Sequence, residues 1–359
     1  MTDQELFEIE RLVILNYKLT QFEKATIEKM LPTLRTAQED LLGKLGEKIG
    51  SSITKARLKE VLNEINSIFY TCNKILGDST KAAVTETFGK TLKYHQDTLS
   101  LFDSIPVVKQ TISPEMLQVL FNKEVGSMNF KKWVESVYEK PITNELEQFL
   151  NSGILEGKSY RELSSALSSK FDVLNDNATT MVRTWVHGTN VEAMEETYKN
   201  NPALLQDNKV VWQATLENGY KNTGHGTCLT CASLDGTEYD LKNHPPIPLH
   251  PRCRCVLLPK CKTWKELGLS DDKQNEMLRA YSLREDKAIG TGGTRKILGA
   301  GQTDDTKYGE WIMKQSEKIQ KQSLGINRYN LIQDGKIKFD DLVNKSTGKL
   351  RTLEELKQL

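Results

Sequence analysis

No stretch of this 359-residue sequence reaches the ~18 consecutive apolar residues that a membrane-spanning helix needs, so a helix crossing a membrane is excluded. An excess of charge is missing too. Forty-nine basic against 48 acidic residues leave +1, and no global field favours nucleic acid or an anionic membrane. Apolar residues are sparse at 38%, against about 45–50% in ordinary globular chains. That suits a helical, extended, multi-module protein with modest cores better than one large compact enzyme. The opening Met1-Thr2-Asp3-Gln4-Glu5-Leu6 has neither the basic start nor the apolar core of a secretory signal. Synthesis in a cytoplasm that keeps thiols reduced is therefore expected.

Signature enzyme motifs are also wanting. The tract Gly290-Thr291-Gly292-Gly293-Thr294 lacks the Gly-Lys-Ser/Thr of a phosphate-binding loop, and it reads as a linker continuing past Gly299 and Gly301. There is no His-Glu-x-x-His, and no His-x-Glu upstream of Cys228 as a nucleic-acid deaminase requires. No catalytic constellation remains, and the chain is expected not to be an enzyme. The alternative kept beside this is a metal-dependent nuclease or toxin-like enzyme acting on nucleic acid.

What is present divides into modules. Residues 1–142 read as a helical arm or bundle, with apolar stripes such as Leu12/Leu15/Leu19/Phe22 and Leu58/Val61/Leu62/Ile65. Ala83 to Leu99 form a further segment, and Pro32 is expected to kink or break the first helix. Two helices follow. One is opened by the capping-box pattern Ser159-x-x-Glu162, the other is capped by Asn177 and carries Arg183 and His187 on one face. Near Val210 the period turns to alternation, with Asn218-Gly219 as a hairpin signal. Residues 143–262 thus end in the chain's β-rich portion, where Trp212 and Asp235-Gly236 read as scaffold. Residues 263–306 are expected to be a helix from Thr263 to Arg284 and then the glycine linker. Residues 307–359 return to helix as a tail module. The fold class is mainly α with a small β-containing zinc-binding module.

The cysteines are unevenly spread. Cys72 stands alone, while Cys228, Cys231, Cys253, Cys255 and Cys261 fall within 34 residues. Cys228-Leu-Thr-Cys231 is followed, after eighteen residues, by His250-Pro-Arg-Cys253-Arg-Cys255. Two donors separated by two residues turn in a tight knuckle and face one ion; a second such pair completes the tetrahedron that Zn²⁺ favours. The expected ligands are Cys228, Cys231, His250 and one of Cys253 or Cys255. His225 and His244 lie near enough to substitute. With enough thiolates and imidazoles to close the shell, the zinc reads as structural.

The run Trp212…Cys228-Leu-Thr-Cys231…Leu234-Asp235-Gly236…Pro245-Pro246…His250-Pro251-Arg252-Cys253-Arg254-Cys255 resembles the phage Mu F-like minor head protein family. Gly157-Lys158-Ser159 and Arg183-Thr184 upstream are similar to the family's pattern, although Trp185 stands where its helix commonly has Glu. Downstream, Tyr308-Gly-Glu310-Trp311, Leu324-Gly325, Arg328, Asp334-Gly335-Lys336-Ile337 and Asp341-Leu342-Val343 resemble its tail module. The resemblance spans roughly 143–359. It implies a virion protein assembled in the host cytoplasm, a minor capsid protein at the portal vertex of a tailed bacteriophage. Its partner would be the portal protein, with scaffold, major capsid protein and the DNA end as further contacts and no membrane. Its work would be head morphogenesis, with a part in DNA packaging or ejection.

Overall fold

The computed structural model describes residues 3–49, 55–100, 107–125, 128–136, 160–218, 226–261, 278–286, 295–304, 306–344 and 349–359, with 148, 149, 152, 156 and 158 between. The protein is mainly helical with a few small sheets. It divides into two compact units. One holds residues 15–94 and 110–193; the other holds 1–14, 95–109 and 194–359.

The first unit is built on most of three long helices, α1 (Asp3–Ile49), α2 (Lys55–Leu99) and α5 (Tyr160–Asn200), with the short α3 (Pro114–Asn122) and α4 (Phe130–Val134). Helix α1 runs through Pro32, where an end or kink was expected. Proline removes one N–H and crowds the carbonyl four residues back, but Pro32 and Glu28 are both exposed, so water can solvate the freed carbonyl. Meanwhile Met30, Leu34, Ala37 and Leu41 stay buried along one face and hold the helix on course. The separate segments expected at 58–69 and 83–99 are one helix. So are the two expected between 159 and 198: Asn177 is exposed inside α5 rather than capping anything. Leu174, Ala178, Met181, Val182, Trp185 and Val186 keep an unbroken apolar stripe across that point.

These stripes meet in one core. Leu34 and Leu41 of α1, Leu76, Phe88 and Leu92 of α2, and Phe171, Met181 and Trp185 of α5 belong to a single cluster. Phe130 stacks edge-on to Trp185 at 5.0 Å and to Phe121 at 4.9 Å, and the Trp133 indole donates to the Val125 carbonyl at 2.8 Å. The side chains of Leu12, Leu15, Leu58, Val61, Leu62 and Ile65 lie outside the described residues.

The second unit carries the β structure. Strand β1 (Leu205–Gln213) is followed by β2 (Leu216–Glu217), α6 (Leu229–Leu234), β3 (Glu238–Asp240) and β4 (Val256–Cys261). Strand β1 lies between β3 and β4, antiparallel to both. Trp212 sits opposite Leu257 on this central strand and is fully buried. Trp212→Ala is therefore expected to cost about 3–5 kcal/mol in chemical denaturation; a loss no larger than that of a surface substitution would contradict the burial.

Two expectations for 263–306 are corrected. Leu278–Asp286 is not helix but strand β5, and Gly299 and Gly301 are not linker but part of strand β6 (Arg295–Asp304). The two pair antiparallel, with Tyr281 opposite Gly301. A Cβ on Gly301 would come within 3.2 Å of the Tyr281 hydroxyl oxygen, so glycine serves close approach across the ladder rather than looseness. Residues 262–277 and 287–294, which hold the rest of the expected helix and the Gly290–Thr294 tract, lie outside the described residues, as does Gly219. Strand β2 pairs parallel with β5; the arm that would follow a turn at Asn218-Gly219 lies outside the described residues.

The chain then forms α7 (Tyr308–Met313), α8 (Glu317–Leu324), α9 (Ile326–Gln333), the two-residue strands β7 (Val343–Asn344) and β8 (Lys349–Leu350), and α10 (Leu353–Lys357). Thr352 caps α10 in a capping box with Glu355. Tyr308, Trp311 and Ile312 pack with Leu216 and Ala232, while Leu324, Leu331, Leu342 and Leu356 make a separate small core.

Candidate metal centre

Strand β1 brings the two knuckles together. Helix α6 carries the first and leads through a turn into β3 on one side of β1. The second knuckle leads into β4 on the other side. Cys228 occupies the cap position of α6, and its sulfur accepts the Cys231 backbone N–H at 3.4 Å. The second knuckle turns through Arg252 at φ 61, closing with the Cys253 N–H on the His250 carbonyl at 3.1 Å. Upstream, the Thr227 N–H bonds the Glu217 carbonyl at 3.2 Å, and its hydroxyl meets that of Thr215 at 2.9 Å, fixing the entry to Cys228.

The expected ligands converge. His250 Nε2 lies 3.3 Å from Cys228 Sγ and 3.2 Å from Cys231 Sγ, and Cys231 Sγ lies 3.9 Å from Cys253 Sγ. Around a tetrahedral zinc, bond lengths of about 2.3 Å to sulfur and 2.0 Å to nitrogen give edges of about 3.8 Å (S–S) and 3.5 Å (S–N). The S–S spacing of 3.9 Å lies close to its edge, and the S–N spacings of 3.2 and 3.3 Å fall somewhat below theirs. The donors form two triads, Cys228/Cys231/His250 and Cys231/Cys253/Cys255, each with all its ligand atoms within 4.8 Å of one another. Cys231 belongs to both. They surround a cavity of about 10 Å³, room for one atom-sized guest.

The imidazole is oriented for this task. His250 Nδ1 lies 2.8 Å from the Pro251 carbonyl oxygen, which can only accept, so Nδ1 carries a proton. In the neutral ring Nε2 then presents its lone pair to the thiols, the arrangement that metal-ligating histidines use. The site can hold a metal ion, and its soft thiolates and single imidazole fit zinc. His244 is not among these donors: its Nδ1 bonds the Pro245 carbonyl at 2.9 Å and its Nε2 faces Glu195 at 3.6 Å. His225 lies outside the described residues.

Without metal the same groups polarise each other. Hydrogen bonding from Cys231, then from His250 with its charge, draws the Cys228 thiol down to about 4 against the opposing effect of burial. Burial disfavours the His250 cation, but the hydrogen bond and charge of Cys228 outweigh it and carry the imidazole up to about 9. The thiolate forms above the lower value and the imidazolium persists below the upper one, so a charged pair spans that window. Cys231 is pushed the other way by its neighbouring thiols and burial, and Cys255, although the Cys231 hydrogen bond draws it down, is pushed up by Cys253, burial and the charge of Cys228. Cys72, buried in the helical unit, is an ordinary thiol that desolvation lifts to about 11.

A second polar centre begins one residue past α6, and sequence reasoning found only half of it. Asp235 is buried and pairs with the buried Arg279 of β5, Nη1 to Oδ2 at 2.8 Å and Nη2 to Oδ1 at 3.1 Å. Asp235 also accepts the backbone N–H of Ala214 at 2.8 Å and of Tyr308 at 2.7 Å. Arg279 donates onward to the carbonyls of Thr306, at 2.7 Å, and Ala214. Gly236 follows at φ 73, a left-handed position that favours glycine, and its N–H bonds the Trp212 carbonyl at 2.8 Å. Both polar centres thus hang on the short stretch from Cys228 to Gly236.

No known protein-family model, curated protein or solved structure matches this chain.

Proposed function

We propose that this chain is a minor capsid protein of a tailed bacteriophage, seated at the portal vertex and acting in head morphogenesis, with a structural zinc stapling its central module. The observation that carries the reading is the convergence of Cys228, Cys231, His250, Cys253 and Cys255 on one small buried cavity. Their order and spacing are those by which the sequence resembles the Mu F-like minor head proteins. The zinc takes Cys228, Cys231, His250 and one of Cys253 or Cys255. It supplies folding free energy to a module built on a three-stranded sheet. The work is non-catalytic, done in the host cytoplasm and then in the virion. The partner is the portal protein, with scaffold, major capsid protein and the DNA end as secondary contacts.

The portal contact falls on the helical unit. Much of its apolar surface is spent internally, because Leu34, Leu41, Leu76 and Phe88 fill its own core. The docking face is therefore the outer surface, where Tyr70 and Ile75 of α2 stand exposed. Deleting residues 1–50 would strip that core, so Tyr70→Ser with Ile75→Ser is the cleaner probe. The test is co-purification with portal rings, alongside plasmid nicking by the isolated, metal-loaded protein. Portal association that survives Cys231→Ser and fails in the Tyr70/Ile75 double variant supports the reading. Nicking without portal association would favour the competing metal-dependent nuclease or toxin-like enzyme.

A further inference from the structure

We propose that Cys231 and Cys253 form a reversible disulfide whose formation ejects the metal, making the centre a thiol redox switch as well as a staple. The inference rests on the metal reading above and goes beyond it. A tetrahedral zinc needs four donors, and here five converge. One thiol is therefore always surplus, held among zinc-bound thiolates. The two triads intersect only at Cys231, so capturing that one sulfur breaks both, whichever of Cys253 and Cys255 completes the shell.

Cys253 is a partner within reach, and it lies on the other knuckle. Cys253 Sγ is 3.9 Å from Cys231 Sγ, and a disulfide of about 2.05 Å requires the sulfurs to approach by less than 2 Å. The bond would link the first knuckle directly to the second. The chain would then exchange a metal tie for a covalent one and set Cys228, His250 and Cys255 free. A protein folded in a reducing cytoplasm and carried outward in a particle passes between the two redox regimes that such a pair distinguishes.

The chemistry balances with a peroxide as the oxidant. One thiolate attacks a peroxide oxygen; the O–O bond breaks, leaving a sulfenic acid and hydroxide. The second thiolate attacks the sulfenic sulfur, the S–O bond breaks, and a second hydroxide leaves as the S–S bond forms. Two electrons pass from the two sulfurs to the peroxide, and two protons turn both hydroxides into water. The zinc departs as Zn²⁺, its oxidation state unchanged.

The experiment uses the full-length protein, with its metal content measured first. Hydrogen peroxide is added stepwise in the presence of a chromogenic zinc chelator, and the cysteines are mapped by mass spectrometry without reduction. The expected result is release of the bound zinc in step with a Cys231–Cys253 linked peptide two hydrogens lighter, reversed by dithiothreitol and added zinc. Protein that holds no metal at the outset defeats the metal reading itself. Protein that holds zinc but keeps it under peroxide, loses it with sulfinic or sulfonic acids only, or links Cys231 to Cys228 instead overturns the switch while leaving the metal centre intact.

Discussion

Cys231→Ser is expected to abolish metal binding and unfold the central module, the largest effect of any single substitution in this chain. Cys231 is the ligand common to both triads, is almost fully buried, and anchors the first knuckle through its N–H on Cys228 Sγ. Structural zinc contributes on the order of 10 kcal/mol of folding free energy in small domains, while a whole domain is stable by only about 5–15 kcal/mol. Losing the metal therefore leaves the sheet β3-β1-β4 without enough to order it. The helical unit has its own core of Leu34, Leu41, Leu76, Phe88 and Trp185 and should keep its structure. Limited proteolysis reads the difference: cleavage should appear within residues 205–261 and spare 15–94. A strong chelator should reproduce the pattern in the parent protein. A Cys231→Ser protein that melts with its parent and resists protease would contradict the account.

Breaking the Asp235–Arg279 pair ranks second. Either Asp235→Ala or Arg279→Ala is expected to cost about 3–5 kcal/mol, because each leaves a charged partner buried and unpaired. The effect should be worse on the aspartate side, where the backbone N–H groups of Ala214 and Tyr308 lose their acceptor as well. Replacing both charges at once, Asp235→Leu with Arg279→Met, removes the orphaned charge and should recover part of the loss. Urea denaturation of the three variants checks this. Additive losses in the double variant would mean that the two side chains do not act as a pair.

The sequence made the candidate metal site legible because its information is local. Cys-x-x-Cys and His-x-x-Cys are each one turn of chain, and donor chemistry states what such turns are for. Trp212 and Gly236 were readable for a similar reason, one from its strand alternation and the other from its turn. Arg279 was not. Leu278-Arg-Ala-Tyr-Ser-Leu-Arg-Glu-Asp is rich in helix formers. Its strand character comes from pairing with residues 295–304 and, in parallel, with Leu216–Glu217, contacts that periodicity within a segment cannot reveal. The glycines at 299 and 301 misled in the same way: in sequence they signal a linker, and in the ladder Gly301 makes room for Tyr281. Pro32 and Asn177 show the converse, local breaking signals overridden because their side chains face water while a buried stripe continues beneath them.

The most direct test of the account is the metal content of the full-length protein, purified without chelator and measured by elemental analysis against protein concentration. The account predicts about one zinc per chain, retained through dialysis and lost in Cys228→Ser and Cys231→Ser, with no cysteine at 228, 231, 253 or 255 found in a disulfide under reducing conditions of preparation. Protein that is folded, monodisperse and free of zinc or any other thiolate-bound metal would contradict it.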